Sequence, residues 1–234
     1  HHFELYLAKP HSYRELPIRI AELAKLYRYE LSGVLTGLTR TRSFCLSDAH
    51  IICANPAQAK TEIEKALSLI FFMTEKFGLK SGEDFWYRLS LGNRQDNEKY
   101  FKDDTAWNEA ESILREVLKG QDVPFTEAEN EAAFYGPKID IQMKDARGKE
   151  DTAFTVQYDF VMPKRFNLTY IDSDGQAKET VVVHRSSVGS IERIVAFLIE
   201  KYKGAFPVWL APVQVKVIPI GEAHQDFAKK TFDE

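Results

Sequence analysis

The sequence predicts an α+β fold, a mixed and mainly antiparallel sheet flanked by helices. Three observations predict it. Apolar residues recur at helical spacing in three separate stretches, near 63–77, 107–117 and 191–202. Around them lie short runs of alternating polarity joined by turns too short for a parallel crossover, such as Ala146-Arg-Gly148 and Asp172-Ser-Asp-Gly175. Neither a dinucleotide-binding nor a P-loop glycine fingerprint supports a doubly wound parallel sheet.

Taken in order, residues 15–30 lead into Leu-Ser-Gly-Val-Leu-Thr-Gly, where Gly33 and Gly37 suit a bent loop. Thr39-Arg-Thr-Arg-Ser-Phe44 then reads as extended, giving strand, loop, strand with basic side chains at both ends. Asn55-Pro56 starts a helix, with Gln58 placed to reciprocate the Asn55 cap. Ile63, Leu67, Ile70, Thr74 and Phe77 form its buried stripe and Gly78 its stop. Phe85–Leu91 is a strand, and Trp107, Ala110, Leu114 and Val117 mark a second helix ending before Gly120.

Ile139–Met143 and Ala153–Phe160 are expected to pair around Ala146–Gly148. Leu168–Tyr170 and Val181–His184 are expected to pair around Asp172–Gly175. After Gly189, the spacing of Ile191, Val195, Leu198 and Tyr202 predicts a core helix stopped near Gly204. Phe206–Pro212 reads as a domain junction, Val213–Ile218 as a new strand, and the residues from about Glu222 as a helix.

Composition limits the function classes. The 234 residues carry 31 Lys and Arg against 35 Asp and Glu, a net charge of -4. Such a chain has no global attraction to nucleic acid, so any polynucleotide contact must come from a local basic patch. Cys45 and Cys53 cannot build a disulfide scaffold. They suit a reducing cytoplasm and read as small buried apolar residues. No signal peptide or membrane span is legible.

The chemistry-bearing candidates are dispersed. His50 and His184 are able to meet across a sheet and bind zinc through neutral imidazoles. Alone, each reads more readily as a hydrogen-bonded structural histidine. Cys53 and Cys45 fall on the strand face opposite His50 and are poor further ligands. Arg28, Arg40, Arg42, Lys138, Arg185 and Arg193 are the candidate phosphate cations. Glu30 and Glu192 are candidates for magnesium, or for a base or ribose. Gly136-Pro137 imposes a sharp backbone course that exposes Tyr135 and Lys138 side by side.

In combination these segments resemble a known family. Arg28-Tyr-Glu30, the loop after it and Arg42-Ser-Phe44 are similar to motif 2 of class II aminoacyl-tRNA synthetases. Gly189-Ser-Ile-Glu-Arg193 is similar to motif 3. Ser47-Asp-Ala-His50, Ala133–Lys138, Thr155–Phe160, His184-Arg185 and Phe206–Val215 narrow the resemblance to the threonyl-tRNA synthetase family, over essentially the whole chain.

The resemblance implies a catalytic domain over residues 1–209, lacking its N-terminal part, and the incomplete start of an α/β anticodon-binding domain over 210–234. It implies ATP-dependent activation of threonine and transfer to tRNA(Thr), in a cytoplasmic homodimer with no membrane partner. Arg28 and Arg193 would be catalytic. Arg28 would hold the α-phosphate of ATP, Arg40 and Arg193 the outer phosphates, Glu30 the adenine side, and Glu192 would support Mg2+. Asp48 would accept from the threonine hydroxyl, with Tyr135 and Gln157 at the amino-acid end. His50 and His184 would ligate Zn2+ with a cysteine expected upstream of His1. His2 would match a family histidine.

Two segments depart from the family pattern. Arg42-Ser-Phe-Cys-Leu46 stands for Arg-Gly-Phe-Thr-Gln, and Asp151-Thr-Ala-Phe-Thr155 for Trp-Gln-x-Gly-Thr. Leu46, Thr152 and Phe154 thus replace polar or small residues near the expected pocket. Two other readings stay open: a paralogue adenylating an amino acid for another acceptor, and a noncatalytic RNA-binding module.

Overall fold

The computed structural model describes all residues, 1–234. The chain divides into two compact units, His1–Phe197 and Leu198–Glu234. In the first, α1 (His2–Leu7) precedes β1 (Ile18–Tyr27) and β2 (Ser43–Cys53), then α2 (Pro56–Lys76), β3 (Phe85–Ser90) and α3 (Asp104–Gly120). There follow β4 (Phe125–Ala128), β5 (Lys138–Lys144), β6 (Glu150–Asp159), α4 (Met162–Phe166), β7 (Thr169–Ile171), β8 (Ala177–Glu179), β9 (Val181–Ser186) and α5 (Ile191–Tyr202).

The seven-stranded sheet has the order β1-β2-β9-β6-β5-β3-β4. Only β3 and β4 run parallel. The alternation that marks each strand also divides its side chains between two faces. On the back face, α2 buries Ala59, Ile63, Ala66, Leu67, Ile70 and Thr74. Beside it, α3 buries Trp107, Ala110, Leu114, Val117 and Leu118. Burying each large side chain stabilises the fold by about 1.5–3 kcal/mol relative to exposure. At one end of the front face a second cluster, Tyr6, Leu16, Ile52, Leu168, Tyr170 and Val182, packs under α1 and the β7–β8 ribbon. The rest of that face stays open and polar.

The start of α2 holds with one adjustment. The Asn55 side chain caps α2 by accepting the Gln58 N–H at 2.9 Å. Gln58 does not return the bond to Asn55. Its amide accepts from the Ala54 N–H at 2.8 Å and donates to the Leu16 carbonyl at 3.2 Å, tying the helix start to the chain before β1. The stretch at residues 93–102 forms turns rather than regular structure.

Four expectations are corrected. Thr39–Arg42 remains in the loop between β1 and β2, and only Ser43 and Phe44 join the strand. Leu168–Tyr170 lies by β7, but its partner is Ala177–Glu179. Val181–His184 instead crosses to the main sheet as β9, between β2 and β6. The Asp172–Gly175 turn closes the nearer pairing, and the apolar Val181-Val-Val183 run is spent on the buried centre of the sheet. In α5 the buried face is Ile194, Phe197 and Leu198, while Val195 and Ile199 are exposed. Its apolar stripe is broad enough to take in Val195 and Ile199 beside the buried residues, so spacing alone does not say which part turns inward.

The second unit holds the last turn of α5, single 3-10 turns at Val208–Leu210 and Glu222–His224, and α6 (Gln225–Asp233). Val213–Ile218 forms no strand, which is the fourth correction. Its alternation suits one, but the unit holds no second strand to pair with, and Val215 stays 80% exposed.

Candidate active site

Sheet register assembles the site. Reading across the front face, His50 faces His184, His184 faces Gln157, Gln157 faces Lys138 and Lys138 faces Ser90. The neighbouring row runs through Ser186, Thr155, Asp140 and Arg88, with Asp48 two residues from His50 on the same side of β2. These rows floor a cavity of about 410 Å³. Arg28, Glu30 and Arg40 line it from the β1–β2 loop, and Gly189, Ser190 and Arg193 from the start of α5.

Two glycines let the backbone close around this floor. A Cβ on Gly136 would sit 1.8 Å from the Tyr158 carbonyl oxygen, so the Gly136-Pro137 turn presses directly on β6 and delivers Tyr135 to the cavity. Gly189 has a φ of +71° and would carry its Cβ 2.0 Å from the Ala153 oxygen. Its own carbonyl accepts the Ser47 N–H at 3.1 Å, locking the α5 start to β2.

At one end the cations converge. The Arg28 guanidinium lies 5.0 Å over the Phe44 ring, a cation–π contact. Arg40 pairs with Glu30 at 3.1 Å, and Arg42 Nε donates to the Glu30 carbonyl outside the cavity. Arg193 donates from Nε to the Thr39 carbonyl at 3.0 Å and from NH1 to the Thr152 carbonyl at 2.6 Å, bridging the loop to β6. Burial, followed by the nearby Arg28 and Arg40 charges, lowers its pKa. Arg185 lines the floor and donates to Ser187 Oγ at 3.0 Å. Glu192 does not line the cavity. Its carboxylate takes the Cys45 N–H at 3.0 and 2.9 Å and the Ser190 hydroxyl at 3.0 Å.

The other end is a cluster of histidines and carboxylates. The His50 and His184 rings are 4.4 Å apart and nearly perpendicular. His184 Nε2 is 2.7 Å from Asp159 Oδ2, and the other Asp159 oxygen accepts the Val161 and Met162 N–H groups. His2, from α1, brings Nδ1 within 2.7 Å of His50 Nδ1, with its Nε2 3.2 Å from Glu22. The three-residue group able to close on one ion is His2, Asp48 and His50, whose ligand atoms lie within 4.8 Å of one another. Burial, reinforced by His184 and His2, pulls the His50 pKa down to about 3, leaving a neutral imidazole. Burial also raises the Asp48 pKa, opposed by His184 and His2. Cys53 is buried, whereas Cys45, near the start of β2, is only half-buried.

His184 lies outside that group, but its ring is placed beside His50 to add a further ligand. Asp159 occupies one His184 nitrogen and fixes the ring, which leaves Nδ1 for a ligand; a carboxylate behind a histidine is a recurrent support for metal ligation. Neutral His50 supplies a second nitrogen. Tyr135 stacks on His184 with centroids 4.8 Å apart and donates to Gln157 Oε1.

Of the residues singled out from the sequence, Arg28, Glu30, Arg40, Asp48, His50, Tyr135, Gln157, His184 and Arg193 all line the one cavity. So do the substituted Leu46 and Thr152, but Phe154 does not; it is fully buried. Asp140, Thr155 and Asp159 were not singled out. Polar residues two positions from Lys138 and from Gln157 fall on the same strand face, and this alternation marks them.

Residues 1–202 match the family model for the tRNA synthetase class II core domain (G, H, P, S and T). The threonine–tRNA ligase of Geobacillus kaustophilus (strain HTA426) is 53% identical over 229 residues, covering 97% of this chain and 34% of that protein. Threonine–tRNA ligase 1 of Bacillus subtilis (strain 168) is 53% identical over 231 residues, 98% of this chain and 35% of that one. The chain thus spans about a third of the length of the curated relatives it matches. A solved structure titled the RNA binding domain of threonyl-tRNA synthetase from Cryptosporidium parvum Iowa II superposes with a TM-score of 0.87 at 37% identity. It covers 98% of this chain and 56% of that one. With the family match extending over most of its length, the chain belongs to the class II tRNA synthetase core-domain family (G, H, P, S and T).

Proposed function

We propose that the protein containing this chain is a threonine–tRNA ligase, with ATP, threonine and tRNA(Thr) as substrates. One observation carries the reading: a single cavity joins an arginine-rich end, suited to phosphates, to a polar end of Asp48, His50, His184, Tyr135 and Gln157, suited to a small amino acid. The relatives' names support the choice of threonine.

In the first step a threonine carboxylate oxygen attacks the α-phosphorus of ATP and pyrophosphate leaves. In the second a terminal ribose hydroxyl of tRNA attacks the acyl carbon and AMP leaves. No protein nucleophile is needed, so positioning and charge stabilisation carry the rate. Arg28 holds the α-phosphate, Arg40 and Arg193 the outer phosphates and Glu30 the adenine side. Arg40 reaches the nucleotide by leaving its ion pair with Glu30. Glu192, outside the cavity lining and held by the Cys45 N–H and the Ser190 hydroxyl, would support the Mg2+ that accompanies ATP.

Asp48 accepts from the substrate hydroxyl, and Tyr135 and Gln157 bind the amino-acid end. His50 and His184 would hold Zn2+, with a cysteine from outside these residues as a third ligand. When bound, zinc supplies a Lewis-acid contact that valine, lacking the hydroxyl, cannot satisfy. We assign residues 1–209 to the catalytic domain and 210–234 to an anticodon-binding domain, in a cytoplasmic homodimer. No helix is long and apolar enough to cross a membrane.

Leu46 and Thr152 at the cavity wall motivate a second reading, a paralogue that adenylates an amino acid for another acceptor. The test is amino-acid-dependent ATP–pyrophosphate exchange with threonine, serine and valine, followed by transfer to tRNA. Threonine activation with transfer supports the ligase. Activation without transfer supports the paralogue, and the absence of both from a folded protein leaves a noncatalytic RNA-binding role.

A further inference from the structure

The histidine beside His50 has both ring nitrogens engaged, and this decides what it does for a metal. His2 is buried and stands edge-on to His50, with ring centroids 4.8 Å apart. Its Nδ1 lies 2.7 Å from His50 Nδ1, and its Nε2 lies 3.2 Å from Glu22 Oε1 on β1. Two nitrogens sharing one tetrahedral zinc, each at about 2.0–2.1 Å, stand roughly 3.3 Å apart. The shorter separation here is that of a hydrogen bond, with one proton between the rings. The Glu22 carboxylate only accepts, so the His2 proton sits on Nε2. A neutral imidazole carries one proton, which leaves a lone pair on His2 Nδ1 and makes His50 the donor from its own Nδ1. Asp48 does not compete for that proton, because its Oδ2 is 3.7 Å from His50 Nδ1.

With its proton fixed on Nδ1, His50 keeps its lone pair on Nε2. The reversed bond, with His2 donating, would move the His50 proton to Nε2 and take that lone pair away. We propose that His2 and Glu22 are positioning residues and not ligands: they hold His50 in the tautomer whose Nε2 binds zinc, as Asp159 holds His184 for ligation through Nδ1. The fold places the parts. Glu22 stands opposite Asp48 in the β1–β2 ladder, on the face that carries His50, and α1 brings His2 to both. Phe3, the next residue of α1, packs edge-on against His50 at 5.4 Å and against Phe166 at 5.3 Å. The helix that supplies His2 is thus anchored over the ring that His2 supports.

This inference rests on the zinc reading of the histidine end, and the test separates the two. In the protein containing this chain, zinc affinity is measured by chelator competition, and cobalt(II) substituted for zinc gives a visible spectrum of the ligand set. His2→Ala should lower zinc affinity by about 10–100-fold, the usual cost of losing such a partner, without changing the shape of the cobalt spectrum. His2→Asn should recover most of the loss, since its amide oxygen accepts from His50 Nδ1–H in place of the imidazole. Glu22→Gln should fall towards His2→Ala, because an amide is able to donate to His2 Nε2 and send the His2 proton to Nδ1. An altered cobalt spectrum in His2→Asn, or loss of stoichiometric zinc from both His2 variants, makes His2 a ligand and overturns the proposal. So does wild-type affinity in His2→Ala. If His2→Ala does not fold, Glu22→Gln decides: weaker zinc with an unchanged cobalt spectrum supports the proposal, and wild-type affinity overturns it. Ring-nitrogen NMR shifts of His50 in the metal-free wild type read the tautomer directly. A proton on Nδ1 is expected, and one on Nε2 overturns the proposal. A proton on Nδ1 in a protein that binds no zinc overturns both the metal reading and the assigned role, leaving the hydrogen bond itself in place.

Discussion

His50 and His184 stand directly opposite one another on adjacent antiparallel strands, their rings 4.4 Å apart at 73°. Neither ring is free to turn. His184 is held from behind by Asp159, and His50 is bounded by His2 and by the Phe3 ring at 5.4 Å. Two imidazoles so restrained have already given up the rotamer entropy that metal binding would demand of them.

Zinc binding should therefore depend on the support as well as on the ligands. His184→Ala is expected to remove stoichiometric zinc from the protein containing this chain. Asp159→Asn should weaken zinc by about 10–100-fold, the usual cost of losing such a partner. The measurement is metal content after dialysis against graded chelator, with circular dichroism to confirm the fold. Full zinc retention by His184→Ala would remove this residue from the ligand set.

Arg193 joins the β1–β2 loop to β6 through two carbonyl oxygens, which requires a planar fork rather than a point charge. Arg193→Lys should cost about 1 kcal/mol of stability, since at least one part-buried carbonyl loses its donor. It should also loosen residues 31–42. Urea denaturation gives the first quantity and amide hydrogen exchange over the loop the second. Unchanged protection there would show that the bridge does not order the loop.

Much of this arrangement is readable before any coordinates are known, and the unreadable part has a physical pattern. Asn55-Pro56 and Gly78 delimit α2 because capping and a positive φ are local requirements. Arg28, His50, His184 and Arg193 gain their expected roles only from the ordered set of motifs around them, because each histidine alone reads as structural. Partner choice is different. Val181-Val-Val183 is equally good as half of a hairpin or as a central strand, and only the competition for burial sends it between β2 and β6. Asp140 escapes notice because one buried carboxylate looks like any surface aspartate until its three donors are seen. Val213–Ile218 shows the converse, a strand pattern left without a partner.

Gly136 tests how tightly the Tyr135 turn is pressed on β6. Gly136→Ala places a methyl group against the Tyr158 backbone, which cannot rotate away as a side chain would. The substitution should destabilise the protein by about 1–3 kcal/mol and displace Tyr135 from the cavity. Thermal denaturation measures the first effect, and a rise in the threonine KM larger than that for ATP reports the second. A stability within about 0.5 kcal/mol of wild type, the usual range for harmless surface changes, would show that the turn yields.

The acid limb of stability has an identifiable contributor far from the cavity. Glu15 accepts the Ser12 N–H at 3.1 Å and pairs with His11 at 3.0 Å and Lys9 at 3.3 Å. The Ser12 bond first, then His11 and Lys9, lower its pKa from the ordinary 4.5 to about 2. A carboxylate whose folded pKa is depressed adds stability that is present in full above its unfolded value and disappears as pH falls through the folded one. Between pH 4.5 and 2 the folded protein should thus lose the Glu15 contribution progressively. Glu15→Gln has no such charge to lose, so its urea midpoint should fall less steeply across that interval than that of wild type. Parallel pH profiles for the two proteins would place the acid sensitivity elsewhere.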